Sequence, residues 1–254
     1  MKIENIKKNG NNQYSITFED KTKIKLYDDV ILKSGLLYKK ELSLQELENL
    51  EKENKKEVAY HQILNLLSKK MRTNKEIIDY LEKKEIDFLE QKTIIERLEK
   101  NRLLNDELYA KANIQDHLLL SNDGPNKIKD FLVKQNISEG IIDKYINDYP
   151  KEDIYNKAKK IILKKVKSNH NKSIFTLKQH VLLDMTNMGY DKSLVLDILD
   201  NISIDNNVNI VTKEYQKIKR KISTKFEGET LEKQIYYKLR SKGFSEAEIE
   251  LIDK

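Results

Sequence analysis

Four histidines, His61, His117, His170 and His180, are the residues of this chain best suited to acid–base or metal chemistry, and their spacing serves neither. No two fall in the H-E-x-x-H arrangement, which places both imidazoles on one helix face beside a general base. There is no cysteine, which excludes disulfides, thiolate catalysis and cysteine-ligated zinc. Neither G-x-G-x-x-G nor G-x-x-x-x-G-K-[ST] occurs, so no glycine-rich loop is set to cradle a phosphate, and Gly-x-Ser-x-Gly is absent as well. Acidic neighbours such as Glu19-Asp20 and Asp28-Asp29 lie near expected turns or caps. Carboxylates that share catalytic work must converge in space, which adjacency in sequence does not arrange. We therefore expect no enzyme, no metal ligands and no cofactor.

What remains is positive charge in a regular pattern. In "YNKAKKIILKKVK" (155–167), Lys157, Lys160, Lys164 and Lys167 follow a 3-4-3 spacing. That spacing draws one stripe along a helix, with Ala158, Ile162 and Val166 on the opposite side. Lys172 and Lys178 extend the positive region. Residues 151–182 hold nine Lys against two acids, whereas residues 1–50 hold nine against eight. Further on, Tyr215, Ile218, Ile222 and Phe226 set a buried face, and Lys217, Arg220 and Lys221 point away from it. Such stripes are either solvated faces of a Lys-rich protein or contacts for a polyanion, whether DNA phosphates or an acidic protein surface. The whole-chain charge of +6 is mild, so this local distribution carries the expectation.

These stripes need helices to hold them. With 7 Gly and 2 Pro among 254 residues, and 35% charged side chains, the composition is that of a mainly α protein with much solvated surface. The first residues differ. "KIENIKK", "QYSITF" and "KIKLY" are short, partly alternating segments separated by the turn-forming "NGNN" and "EDKT", which predicts a β-hairpin or three-stranded meander. A short helix is expected at "DDVILKS", closed by Gly35, and another after Ser43, whose Glu46 completes a capping box. No run approaches the roughly 18 apolar residues that span a bilayer. "MKIENIKKNG" has no apolar signal core. We expect a cytoplasmic monomer with no membrane contact.

One unit then recurs. Thr73 and Glu76 form a capping box, Ile77, Tyr80 and Leu81 share a face, Ile86 follows Leu81 by five residues, and Asp87 caps the next helix, with Glu90 as its box partner. Leu132 is followed likewise by Ile137 and Ser138, Met185 by Tyr190 and Asp191, and Leu239 by Phe244 and Ser245, with Glu248 completing a box. The anchors Leu81, Leu132, Met185 and Leu239 stand 51, 53 and 54 residues apart. The start of each unit varies. Gly124-Pro125 takes the place of the Thr73 cap, and the last two units share Thr176-Leu177 and Thr230-Leu231. A period near fifty residues predicts a repeat array, each unit burying its apolar face on a neighbour. We expect an elongated array of four three-helix repeats behind the small β module: 1–50, 51–103, 104–150, 151–202 and 203–254. The matched aromatics Tyr80, Phe131, Tyr190, Tyr237 and Phe244 are expected in the core.

Several of these segments are specific in another way. "RTNKEIIDYLEKKEID" (72–87), "LLNDELYA" (103–110), "GPNKIKDFLVKQNIS" (124–138), "LKQHVLLDMTNMGY" (177–190) and "LEKQIYYKLRSKGF" (231–244) resemble the conserved helices and junctions of the RecX family. The N-terminal hairpin and fourth repeat look like the longer form of low-GC Gram-positive bacteria. The chain departs from the family pattern at Arg102 and Asn136, which stand where glycine is usual, at Asn122-Asp123, where a basic pair is common, and at Met188. The resemblance implies a non-catalytic protein that binds the RecA recombinase filament and limits its growth, ATP hydrolysis and strand exchange, with DNA bound directly in some members. It would act in recombination, DNA repair and the SOS response. The second reading is a helix-turn-helix-like DNA-binding protein. Its recognition helices would begin "DFLEQK", "SEGIID", "DKSLVL" and "SEAEIE", which are acidic or apolar and repel phosphate. Lys157, Lys160, Lys164, Lys167, Lys172, Lys178, Lys217, Arg220 and Lys221 are the expected contacts with RecA or with single- or double-stranded DNA.

Overall fold

The computed structural model describes residues 1–10, 12–204 and 208–252. The chain divides into two compact bodies, Met1–Tyr109 and Ala110–Lys254.

The first body opens with the expected meander: β1 (Ile3–Lys8), β2 (Gln13–Phe18) and β3 (Lys23–Tyr27), antiparallel in that order. Asn12 takes the left-handed φ of +56° that the first turn needs; Asn11 of the same "NGNN" stretch lies outside the described residues. Pairing Ile16 with both Ile6 and Ile24 sets the register. The two-residue period then sends Ile16, Phe18 and Leu26 inward. They meet Val30 and Ile31 of α1 (Asp28–Lys33), Leu36 from a single 3-10 turn, Leu42, and Leu50 of α2 (Leu44–Leu67). Gly35 closes α1 at φ +63°, and the Ser43–Glu46 capping box opens α2.

Helices α2, α3 (Asn74–Lys83) and α4 (Phe88–Lys100) form the first three-helix unit, with Tyr60, Ile63, Ile77, Leu81, Ile94 and Leu98 at its centre. The second unit is α5 (Asp106–Leu120), α6 (Pro125–Lys134) and α7 (Glu139–Asn147). The third is α8 (Lys151–Lys167), α9 (Ile174–Asn187) and α10 (Lys192–Asn201), and the fourth is α11 (Val208–Ile222), α12 (Gly228–Ser241) and α13 (Glu246–Glu250). Among the described residues, no helix is long and apolar enough to cross a membrane.

The five-residue spacing read in the sequence has a specific backbone cause. In each unit the second helix ends on a residue with positive φ: Glu85 (+56°), Asn136 (+59°), Gly189 (+89°) and Gly243 (+82°). The next amide then reaches back over the corner: Ile86 N to Leu81 O, Ile137 N to Leu132 O, Tyr190 N to Met185 O and Phe244 N to Leu239 O, all at 3.0–3.2 Å. A second bond runs from the left-handed residue itself, as in Gly189 N to Thr186 O at 2.9 Å. This is the Schellman closure, in which the anchor carbonyl and the residue five places on are bonded and their side chains pack together. Both members of each pair are buried. Arg102 makes the same closure after α4 at φ +57°, donating to Glu99 O at 2.8 Å, without glycine.

Caps follow the sequence with two differences. Thr73 and Ser245 make full capping boxes with Glu76 and Glu248. Asp87 accepts from Glu90 N, but the Glu90 carboxylate turns to Lys56, 2.9 Å away, instead of closing a box. Ser138 occupies its N-cap without a side-chain bond. Two of the matched aromatics are outside the core: Phe131 is 38% and Tyr237 65% exposed, whereas Tyr190 and Phe244 are buried. Phe131 precedes its anchor by one residue and Tyr237 by two, so helical rotation carries them off the buried face by about 100° and about 200°.

Candidate interaction surface

Within the second body, units are joined through helix starts. Gly124, which opens α6, donates its amide to Met188 O at 2.6 Å, and Asn126 N donates to Gly189 O at 3.0 Å. A Cβ on Gly124 would stand 2.5 Å from the Gly189 carbonyl carbon. At the next junction, Ser173 and Thr176 of the α9 start both donate hydroxyls to Lys242 O at 3.1 Å, and Ile174 N donates to the Glu248 carboxylate at 3.3 Å. Each helix start has amides without intrahelical partners. The corner of the following unit supplies carbonyls or a carboxylate to satisfy them.

These junctions fix where the basic residues stand. Ala158 and Ile162 are fully buried in the core of the third unit, which turns the opposite side of α8 to solvent. Lys160, Lys164 and Lys167 are exposed on it and make no ion pair among the described residues. Lys157 behaves differently. Its Nζ donates to Leu118 O at 2.6 Å and His117 O at 3.3 Å, closing the C-terminal end of α5. Burial pulls its ammonium pKa down, partly opposed by the charge of nearby Asp123. Asp123 is itself held below its ordinary value by its bond to Lys127 at 2.6 Å, with His117 Nδ1 contributing at 3.1 Å.

The remaining expected contacts are scattered. Lys172 Nζ lies 3.2 Å from His180 Nδ1, and Lys178 pairs with Asp200 at 3.2 Å. Lys217 stands 3.7 Å from Glu214, whose other oxygen holds Lys242 at 2.7 Å. Burial raises the Glu214 pKa, but the lysines outweigh it and hold the carboxyl below its ordinary value. Arg220 and Lys221 are exposed on α11 with no ion pair among the described residues. The uncommitted charge therefore lies on α8 and, separately, on α11.

Two grooves flank the α8 ridge. One, about 620 Å³, is lined by Lys159, Lys160, Leu163, Lys164 and Lys167 of α8 itself. The other, about 560 Å³, runs between α8 and the end of α5; Lys160, Lys164, Ile161 and Met188 line it together with Leu119 and Leu120. Those two leucines are 68% and 84% exposed. No spacing argument singled them out, because a helix end rich in leucine reads as core.

The histidines are dispersed. His61 stacks on Tyr27 with ring centroids 4.1 Å apart, His117 serves Asp123, and His180 faces Lys172. Among the described residues, no group of three His, Asp or Glu side chains is placed to hold a metal ion. The surface offers ammonium groups and aliphatic area, which suit binding to acidic or phosphate-bearing partners.

Comparison with known proteins agrees with this architecture. Residues 59–98 match the family model described as RecX, first three-helix domain. The regulatory protein RecX of Streptococcus uberis is 28% identical over 255 residues, covering 98% of this chain and 97% of that protein. A crystal structure of regulatory protein RecX superposes with a TM-score of 0.68 at 24% identity, over 79% of this chain and 99% of the other. The crystal structure of RecX from Lactobacillus salivarius gives a TM-score of 0.54 at 25% identity, over 58% and 98%. The helical unit, the corner geometry and near full-length similarity agree: the chain is similar to the RecX regulatory proteins over almost its whole length, and its residues 59–98 match their first three-helix domain.

Proposed function

We propose that this chain is a non-enzymatic cytoplasmic regulator that binds RecA and its nucleoprotein filament and mostly inhibits filament growth, ATP hydrolysis and strand exchange, in recombination, repair and the SOS response. Its working divisions are the β module over 1–50 and helical units over 51–103, 104–150, 151–202 and 203–254, the last including 205–207 and 253–254, which lie outside the described residues. The observation that carries the reading is the uncommitted basic face of α8 in a chain similar to the RecX proteins: Lys160, Lys164 and Lys167 make no ion pair among the described residues. Arg220 and Lys221 form a second contact region. Lys157, Lys172, Lys178 and Lys217 contribute little to binding beside these, since each is already engaged within the protein.

The test is DNA-stimulated ATP hydrolysis by RecA, with filament length measured in parallel. Equimolar addition of the protein should lower the rate and shorten filaments. Unchanged rate and length would remove the proposal. The competing reading, a sequence-selective DNA-binding protein, requires binding to one duplex that survives excess competitor DNA. The acidic starts of α4, α7 and α13 oppose it, because a recognition helix brings its N-terminal residues to the bases.

A further inference from the structure

Leucines exposed singly are ordinary, but Leu119 and Leu120 are adjacent, strongly exposed and set on the wall of a groove whose far side carries free ammonium groups. The floor continues the apolar character with Ile161 and Met188. Lys165 pairs with Asp184 at 2.7 Å and Lys157 is spent on the α5 carbonyls, so Lys160 and Lys164 supply the groove's available charge. The groove is thus half aliphatic and half cationic.

That combination discriminates between partners. A DNA backbone would use the lysines and gain nothing from the leucines. Unpaired bases stack on aromatic side chains, and none lines this groove. An amphipathic helix with acidic residues beside its apolar stripe uses both halves: aliphatic side chains on Leu119, Leu120 and Ile161, carboxylates at Lys160 and Lys164.

We infer that the groove between the end of α5 and the basic face of α8 is the docking site for an acidic amphipathic helix of a protein partner. In the filament setting this rests on the RecA reading above, and it assigns the contact at this face to protein rather than to DNA.

The experiment uses the full chain, the Leu119→Ser/Leu120→Ser variant and the Lys160→Ala/Lys164→Ala variant. Three probes are titrated: a labelled synthetic helical peptide with leucines at i, i+3, i+4 and i+7 among glutamates, a RecA filament on single-stranded DNA, and the bare oligonucleotide. A peptide of equal composition with dispersed leucines is the control. The unmodified chain should prefer the ordered peptide. The leucine variant should bind peptide and filament about tenfold or more weakly, with oligonucleotide affinity unchanged. The lysine variant should weaken peptide and filament alike. Failure of the unmodified chain to bind the ordered peptide, full-strength binding by the leucine variant, or a parallel loss of oligonucleotide binding would overturn the inference. Filament binding that ignores the leucines would leave the RecA reading standing without the groove. Peptide binding through the leucines, with no filament binding, would leave the groove standing without RecA.

Discussion

Arg97 Nη1 donates to both carboxylate oxygens of Glu57, at 3.0 and 2.9 Å, and so ties α4 to α2 through a nearly buried acid. The same guanidinium bonds Asp29 of α1 through Nη2 at 2.9 Å and lies 3.8 Å from the centre of the Tyr60 ring. One side chain therefore fastens the β module, through α1, to the first three-helix unit. Lys33 is the other cation near Glu57, at 3.4 Å, and it is mostly exposed.

Replacing Arg97 with alanine leaves Glu57 buried with, among the described residues, only that weak partner. Removing one member of a buried ion pair strands the other, so we expect a loss of about 2–3 kcal/mol, reduced from the fully buried case because Arg97 itself is partly exposed. Arg97→Lys should recover only part of it, since an ammonium cannot hold Glu57 and Asp29 together while stacking on Tyr60. Urea unfolding of the two variants checks this. A shift of Arg97→Ala within about 0.5 kcal/mol of the parent would show that the module does not depend on the clamp.

The corner glycines should differ sharply from one another. A Cβ on Gly189 would fall on the backbone nitrogen and Cβ of Lys127, and its φ of +89° already disfavours a side chain. Neither element can yield without parting α6 from the corner of α9 and α10, so Gly189→Ala should cost about 3 kcal/mol or more. At Gly243 the nearest atoms are the Ser173 and Thr176 hydroxyls, both 2.9 Å away, which are ends of side chains. Its alanine variant should cost less, about 1–2 kcal/mol. Gly140 meets nothing within 4 Å and serves as the control. Thermal denaturation should rank the three in that order, and an equal effect at 189 and 243 would contradict the close approach.

This contrast also separates what was legible in the sequence from what was not. The anchor and the residue five places on are local, because the Schellman bonds lie within six consecutive residues, and all four corners were read from spacing alone. The positive φ at Glu85 was hidden, since glutamate gives no left-handed signal; at Asn136 the residue type favours it, and at Arg102 only the glycine usual at that place in the resembling family pointed to it. The seating of Gly124 on Gly189 joins residues far apart in the chain, and only packing reveals it. The same holds for the basic stripe. Its 3-4-3 spacing located α8's outer face, but the capture of Lys157 by α5 carbonyls, and the exposure of Leu119 and Leu120 beside Lys160, depend on how α5 meets α8.

Asp123 should impose a dependence on acid. Its folded pKa is depressed from 3.8, by the bond to Lys127 first and His117 second. A depressed carboxyl contributes stability that is present above its unfolded pKa and lost as pH falls through the folded one. The unmodified protein should therefore lose stability below about pH 4 more steeply than Asp123→Asn, in which this proton uptake is gone. At neutral pH the variant should be the less stable of the two. Urea midpoints measured from neutral pH down to about pH 3 decide it, and parallel curves would mean that Asp123 is not held by its neighbours when folded.

Lys157 and its neighbours Lys160 and Lys164 look alike in the sequence, but the structure gives them different surroundings. Lys157 bonds two carbonyls at the end of α5, where a helix C-terminus favours a cation. Lys157→Met keeps the aliphatic stem, removes those bonds, and should lower stability by about 1–2 kcal/mol. Lys160→Ala/Lys164→Ala removes no ion pair among the described residues and should stay within about 0.5 kcal/mol of the parent. Binding should divide the other way: the double variant should bind the filament more weakly and with a shallower salt dependence, because two cations fewer meet the partner. Lys157→Met, measured where it is fully folded, should keep near-parental affinity. If Lys157→Met instead left stability intact and weakened binding as much as the double variant, the Lys157 ammonium would be meeting the partner rather than closing α5.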